Sequence, residues 1–441
     1  MSVFLNRQLP VFFFFLFYVG AVSSQEYAKP LTLEAALASV EAAHPDLLMA
    51  QADRDSAIAD RDIAASRLDS ILNLEGILRS GSRNNAPNEF APDNSLRLIA
   101  RKTLYDFGRS SAAEQAAVSE LAAREADLVS AREKRRREVM TRFFDVLIAD
   151  MQYTVDNELM VVLYGGFDQG RENFAVGQIS SVQLAELEAR YQDVFVKRTA
   201  SLQRQRITRA LLANAMNRPG ELPGELADPK LESNNRVLPE YETLLTSLLA
   251  NNPRLLAQQG MLAASQQRLE SFRAEKRPLL DGEIQAADFS RSSLARDNLS
   301  AGLILSWPLY QGNRADARVA KELAQQNKLH AATEKLKMEL TQTMLETYLD
   351  IIQLKSAGRS AASKQVDYRD LVLERSRGLY ELELKSNLGT SMMHTVQANL
   401  RVRRNEYLLA LDFARLEAIL GRSLDNIKLN AKPASEVRPA K

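Results

Sequence analysis

Two periodicities alternate along this 441-residue chain, and the change from one to the other is abrupt. In NLSAGLILSWPLYQ every odd position from Leu299 to Leu309 is apolar, while Ser300, Gly302 and Ser306 are small or polar. A period of two sustained over about eleven residues is the pattern of a barrel strand crossing a membrane. LLDGEIQA supplies its partner, with Leu280, Gly282, Ile284 and Ala286 outward and Asp281, Glu283 and Gln285 inward. An earlier pair alternates only in part: Leu72, Leu74 and Ile77 in ILNLEGILRSG, and Leu96, Leu98 and Ala100 in SLRLIAR. Strands are expected over residues 71–81, 95–105, 279–290 and 298–310, with the polar, turn-rich stretch Ser80 to Ser95 as a loop.

After each strand pair the pattern becomes helical. From Gly312 to about Gly378 the chain is rich in Ala, Leu, Glu, Gln, Lys and Arg, all strong helix formers. Leu336, Leu340, Met344, Tyr348 and Ile352 recur at i+4 spacing, a narrow apolar stripe. A helix of about 65 residues would reach roughly 100 Å at 1.5 Å per residue. It must bury its stripe along its whole length, as in a coiled coil or a helical array.

The chain says this twice. LTLEAALASVEAAHPDLLMAQ from Leu31 is answered by LPEYETLLTSLLANNPRLLAQQ from Leu238, and LYDFGR (Leu104 to Arg109) by LYQGNR (Leu309 to Arg314). Gly166 and Gly177 correspond to Gly378 and Gly389, and LLANAMNR near residue 218 to ARLEAILGR near residue 422. Shared anchors in the same order mark an internal repeat. The units are 25–220 and 238–424, each reading helix, strand, strand, long helix, helix; 221–237 is the linker and 425–441 a tail. The junctions LYDFGR and LYQGNR are where a strand leaves a membrane and becomes a helix, and Asp106 and Asn313 are candidates to cap the new helices. Tyr105, Phe107, Trp307 and Tyr310 lie where membrane-interface aromatics are expected.

Composition narrows the class. Fifty-seven basic residues balance 56 acidic ones, so there is no basic footprint for nucleic acid. Cysteine is absent, which excludes disulfides, thiolate metal sites, a cysteine nucleophile and a lipid-modified cysteine. His44, His330 and His394 are far apart in sequence, and no Gly-rich phosphate loop is present, so no catalytic, cofactor or metal residues are assigned. Residues 1–24 have the layout of a secretory signal peptide: Arg7, an apolar run from Val11 to Val19, and small residues at 21–24. Arg135, Arg136 and Arg137 point in three directions on a helix and read as a solvated face. Gly165 and Gly166, with Gly378 in the second copy, are expected to loosen the long helices near their ends.

Strand pairs set in long helical hairpins and duplicated once resemble the TolC family of outer membrane channel factors. The resemblance rests on the two junctions and on the hairpin tips VGQISSVQLAELEARY and LGTSMMHTVQANL. It implies a mostly α fold with a membrane β-barrel part. In it a homotrimeric 12-stranded β-barrel is continued by a long α-helical periplasmic barrel. Physics points the same way, because four strands cannot close on themselves in lipid. Two chains would give eight strands, whose interior side chains fill, whereas three leave a lumen.

The resemblance further implies a passive export duct in the outer membrane lipid, for small-molecule efflux or type I protein secretion. Its partners would be sister copies, a periplasmic adaptor protein and an inner-membrane ABC or proton-driven pump. Val176, Gly177, Gln178, Ile179 and Ser180 at one tip, and Leu388, Gly389, Thr390 and Ser391 at the other, match the family's adaptor-docking sites. Gly177 and Gly389 suit a helix reversal that needs a left-handed residue. His394, Thr395 and Gln397 are candidates for the periplasmic constriction; Thr395 and Gln397 depart from the Asp that some members carry there. The rival from another class is a periplasmic coiled-coil scaffold without a pore, which has no use for an alternating strand at Leu299–Leu309.

Overall fold

The computed structural model describes residues 30–41, 44–83, 86–291, 297–382, 384 and 387–426. The signal-peptide segment and most of the tail lie outside the described residues. The first copy runs α1 (Leu33–Ala38), α2 (Pro45–Ala65), β1 (Ser70–Ile77), β2 (Ser80–Arg83), β3 (Ala86–Pro92), β4 (Ser95–Tyr105), α3 (Arg109–Ala175) and α4 (Ser181–Ala215). The second runs α5 (Tyr241–Asn251), α6 (Pro253–Ala274), β5 (Leu279–Phe289), β6 (Leu299–Ser306), α7 (Arg314–Gln353), α8 (Arg359–Glu381) and α9 (Leu388–Leu420). Among the described residues no helix is long and apolar enough to cross a membrane.

The four strands β1, β4, β5 and β6 form one antiparallel sheet in the order β1-β4-β5-β6. The centre pair joins the two copies, and β1 and β6 are left as edges. Registered pairs show that the alternation in sequence becomes two faces. Leu74↔Leu98↔Ala286↔Leu299 runs across one face and Asn73↔Ile99↔Gln285↔Ser300 across the other. The apolar face carries Leu72, Leu74, Leu96, Leu98, Ile284, Leu299, Leu303 and Leu305, all exposed. On the polar face Arg97 pairs with Glu75 at 3.0 Å, Arg101 Nε donates to Glu283 at 2.9 Å, and Thr103 donates to Asp281 at 2.8 Å. Asp281, Glu283 and Gln285 therefore share a face opposite Leu280, Ile284 and Ala286, as their spacing demands. Ile77 falls on the polar face.

Two strand boundaries differ from expectation. The first strand stops at Ile77, and Ser80–Arg83 pairs instead with β3 in a separate two-stranded ribbon within the expected loop. A long connection leaves backbone donors and acceptors that need partners, and the ribbon supplies them. Arg291, in the loop after β5, braces it by donating to the carbonyls of Gly81 and Ala91 at 3.1 and 2.9 Å. The last strand stops at Ser306, so Trp307, Leu309 and Tyr310 lie beyond it; Pro308 has no N–H to extend the ladder.

Helix α3 is one element of 67 residues, about 100 Å at 1.5 Å per residue. Gly165 and Gly166 sit inside it with regular helix on either side, so they do not loosen it; Gly378 is equally regular within α8. The irregularity lies elsewhere. A five-residue π-helical turn at Leu354–Gly358 separates α7 from α8, and Asn405 Nδ2 donates to the Leu354 carbonyl at 3.2 Å. A Cβ on Gly358 would lie 2.5 Å from Asn405 Oδ1, so a larger residue there would displace the Asn405 side chain.

The core forms two clusters along the helical layer. One joins α1, α3, the end of α4 and α9 through Phe143, Phe144, Leu212 and Tyr407; the Phe144 and Tyr407 rings stack at 4.7 Å. The other joins α5, α6, α7 and α9 through Leu244, Leu255, Met344 and Phe413. Leu340 and Met344 of the expected stripe are buried, Leu336 and Tyr348 pack at its margin, and Ile351 replaces Ile352 inside. A straight helix has 3.6 residues per turn, so an i+4 row drifts off the seam.

The linker is not a free tether. Leu31 and Leu226 form a parallel bridge, Leu226 is buried, and buried Asn234 donates to the Glu406 carbonyl and carboxylate at 2.9 and 2.8 Å.

Arg135 also departs from expectation. It is 2% exposed and donates to the Ala215 carbonyl at the end of α4 and to Glu138 at 2.8 Å. The last carbonyls of a helix lack intrahelical partners, and a buried guanidinium satisfies one of them. Burial and the neighbouring Arg415 lower the pKa of Arg137, so within the run only Arg136 is exposed as expected.

Candidate functional site: sheet, junctions and hairpin tips

Three zones along the long axis carry the candidate residues, and each is set by local chemistry. At the junctions the chain must turn from strand to helix within a few residues. In the first copy Phe107 and Gly108 both take left-handed backbone, φ 56° and 86°. Asp106, buried at the turn, accepts from Ser110 N at 2.7 Å and from Gly108 N at 3.2 Å. It therefore caps α3 as expected. In the second copy Gly312 is left-handed at φ 61°, and Asn313 occupies the cap position without a side-chain hydrogen bond. The second cap expectation fails because the left-handed glycine sits one place earlier in LYQGNR than in LYDFGR. Tyr105 and Phe107 meet edge to face at 4.7 Å. They and Trp307 and Tyr310 are exposed, the last by 87%.

The first hairpin tip is a well-capped reversal. Gln178 N donates to Asn173 O at 2.8 Å and Gly177 N to Phe174 O at 3.0 Å, with Gly177 left-handed at φ 74°. Ser180 opens α4 in a reciprocal capping box with Gln183. Ile179 packs near Gly170, while Val176 and Val182 stand exposed.

The second tip is built differently. Gly389 is not left-handed; it lies in the first turn of α9. A Cβ there would come within 2.9 Å of Val162 Cγ2 on α3, so this glycine serves close helix approach rather than reversal. Leu388 and Thr390 are half-buried, and Ser391 is buried with its Oγ 2.7 Å from that of Ser376.

The constriction candidates separate. His394 and Gln397 line one cleft of about 460 Å³ between α3, α8 and α9. Thr395 is not among its lining residues, and its hydroxyl donates to the Ser391 carbonyl at 3.1 Å. Sequence reasoning missed the arginines of that cleft, Arg369, Arg401 and Arg404. The i, i+3, i+7, i+10 spacing of His394, Gln397, Arg401 and Arg404 was the available signal, since it puts all four on one face of α9.

Higher on α9, Arg359 grips Glu406 with two hydrogen bonds of 2.7 Å, which holds the Glu406 carboxyl below its ordinary range. Asp412 goes the other way. Burial first, and Asp350 second, push it up to about 6 against the pull of Arg415.

The sequence profile of the outer membrane efflux proteins matches residues 244–388, the span from α5 through the second strand pair to the start of α9. No curated protein matches the chain by sequence. Solved channels share the fold. The outer membrane protein VceC of Vibrio cholerae superposes with a TM-score of 0.71 at 17% identity, over 89% of this chain and 96% of that one. The CmeC outer membrane channel of Campylobacter jejuni gives 0.72 at 13%, covering 88% and 85%. The open-state MtrE outer membrane channel of Neisseria gonorrhoeae gives 0.70 at 16%, covering 89% of each chain. The profile match lies within the second copy. The superpositions extend across both, so the first copy shares the architecture as well.

Proposed function

We propose that this chain is one third of an outer membrane export channel. Three copies close a 12-stranded barrel in lipid, and their helices continue it as a tunnel through the periplasm. The observation that carries this reading is the open four-stranded sheet with one leucine-rich face and one charged, ion-paired face. The leucines suit hydrocarbon, and the Arg–Glu pairs suit a water-filled lumen.

Magnitudes decide that the sheet does not stay open. The edge strands β1 and β6 have eight residues each. An unpaired backbone group in lipid costs several kcal/mol. Two such edges cost more than the ~5–15 kcal/mol that stabilises a whole domain. Sister strands remove the edges, and three copies are the smallest number whose barrel keeps a lumen.

Tyr105, Phe107, Trp307 and Tyr310 then lie at the periplasmic rim of the bilayer as an aromatic belt. The tips Val176–Ser180 and 388–391 are the adaptor-docking ends, with exposed Val176 and Val182 as apolar contacts for an adaptor's helices. Energy comes from an inner-membrane pump, and the channel needs no chemistry of its own. The exported solute is either a small molecule, as in efflux, or an unfolded polypeptide, as in type I secretion.

The test is purification in detergent followed by mass measurement and planar-bilayer recording. A trimer that conducts is expected. A stable monomer that forms no pore would overturn the reading.

A further inference from the structure

The cleft between α3, α8 and α9 has an unusual charge content. Its lining includes Arg369 of α8, Arg401 and Arg404 of α9, His394, Gln397 and Gln152, and among the described residues no carboxylate lines it. Nearby arginines are paired: Arg403 with Asp228 at 2.8 Å and Arg359 with Glu406 at 2.7 Å. Among the described residues Arg369, Arg401 and Arg404 have no carboxylate partner. Three like charges around one concavity repel, and a solvated helix face ordinarily relieves such repulsion with i,i+3 or i,i+4 acids. Here α9 places Gln397 and Arg401 at those positions from Arg404 and His394.

A second observation is independent of the charge. His394 Nδ1 is buried and has no hydrogen-bond partner. A buried ring nitrogen left unpaired is costly, and the residue that carries it lines this cleft. The volume, about 460 Å³, lies within the range of small-ligand sites.

We propose that this cleft is an oxyanion site that takes a small multivalent anion, a phosphate- or carboxylate-bearing solute. The guanidinium groups give forked donors to its oxygens. Imidazole and glutamine amides supply the neutral hydrogen bonds. As a site for exported cargo it rests on the channel reading; as a binding site it does not. It also gives α8 and α9, the helices leading to the second tip, a ligand that ties them to each other and to α3.

The test uses the full chain in detergent, titrated calorimetrically with pyrophosphate and separately with citrate at low salt, where charge interactions are least screened. Saturable binding at one site per chain is expected for at least one probe. The double variant Arg401→Gln/Arg404→Gln should weaken it at least tenfold. Both side chains are exposed, so the variant keeps its fold, which its melting profile checks. Gln397→Glu, which places a carboxylate among the arginines, should weaken binding comparably without removing any of them. No saturable binding of either probe, or unchanged affinity in both variants, would overturn the inference. Bilayer conductance of the same preparation separates the two readings. Conductance without binding overturns the site and leaves the channel, whereas binding without conductance overturns the channel and leaves the site.

Discussion

Asp106 shows how much one side chain does where a strand becomes a helix. Its carboxylate receives two of the backbone N–H groups that open a 67-residue helix. Asp106→Ala should therefore cost about 1 kcal/mol, read as a lower melting temperature of the detergent particle. Asn313→Ala, which removes no such bond, should be close to neutral.

The two tip glycines are separable by the same logic. Gly177→Ala forces a left-handed alanine at a cost of about 1–2 kcal/mol while touching nothing within 4 Å. Gly389→Ala has permitted backbone but meets Val162, so Val162→Ala should rescue it and should not rescue Gly177→Ala. Both glycines were visible in sequence as repeat partners, yet their roles differ, because close approach to α3 is a long-range fact that no local pattern holds.

Asp412 sets a pH dependence. Its carboxyl is pushed up to about 6, so the folded state favours the protonated form more than the unfolded chain does. Its contribution is favourable below the ordinary carboxylate range and is lost as pH rises through about 6. Asp412→Asn should then raise stability at pH 7 and leave it nearly unchanged at pH 4, measured by melting at both pH values.

At the scale of elements, the strands were the most legible part. The alternation through Leu299–Leu305 and Leu280–Ala286 named the correct faces, because a period of two admits no other division. The ends were less legible. Ile77 ends its strand where ribbon pairing takes over, and Ser306 ends its strand ahead of Pro308, which lies inside the alternating run. The π-turn at Leu354–Gly358 had no forecast, and the Asn405 side chain that bonds the Leu354 carbonyl belongs to another helix. Arg135 was misread for a similar reason: the carbonyl it satisfies belongs to Ala215, eighty residues on.

The two-faced sheet makes a paired prediction. Leu303→Arg puts charge on the lipid face and should cost about 2–4 kcal/mol. Ser300→Arg, on the opposite face of the same strand, should be tolerated. The persistence of the folded band on heating in gel electrophoresis reads both.

For the whole molecule, the sequence showed two copies and a linker but not how they join. β4 and β5 pair across the copies, the Phe144–Tyr407 stack ties the two halves below the sheet, and the linker packs along the helices instead of hanging between them. One chain leaves its sheet open at β1 and β6, and in the proposed channel sister copies close it.

Because the chain has no cysteine, engineered pairs give a clean readout. Asn73→Cys on β1 can be combined in turn with cysteine at Ser300, Gly302 or Ile304 on β6, all on the polar face. Within one chain β1 and β6 are separated by two intervening strands. At ~4.8 Å per strand step they are too far apart for a disulfide. Oxidation of the membrane-inserted protein should therefore give, for at least one pair, a covalent product of three chains on a denaturing gel. Bands at the single-chain mass for every pair, or a ladder that stops at two, would contradict the account.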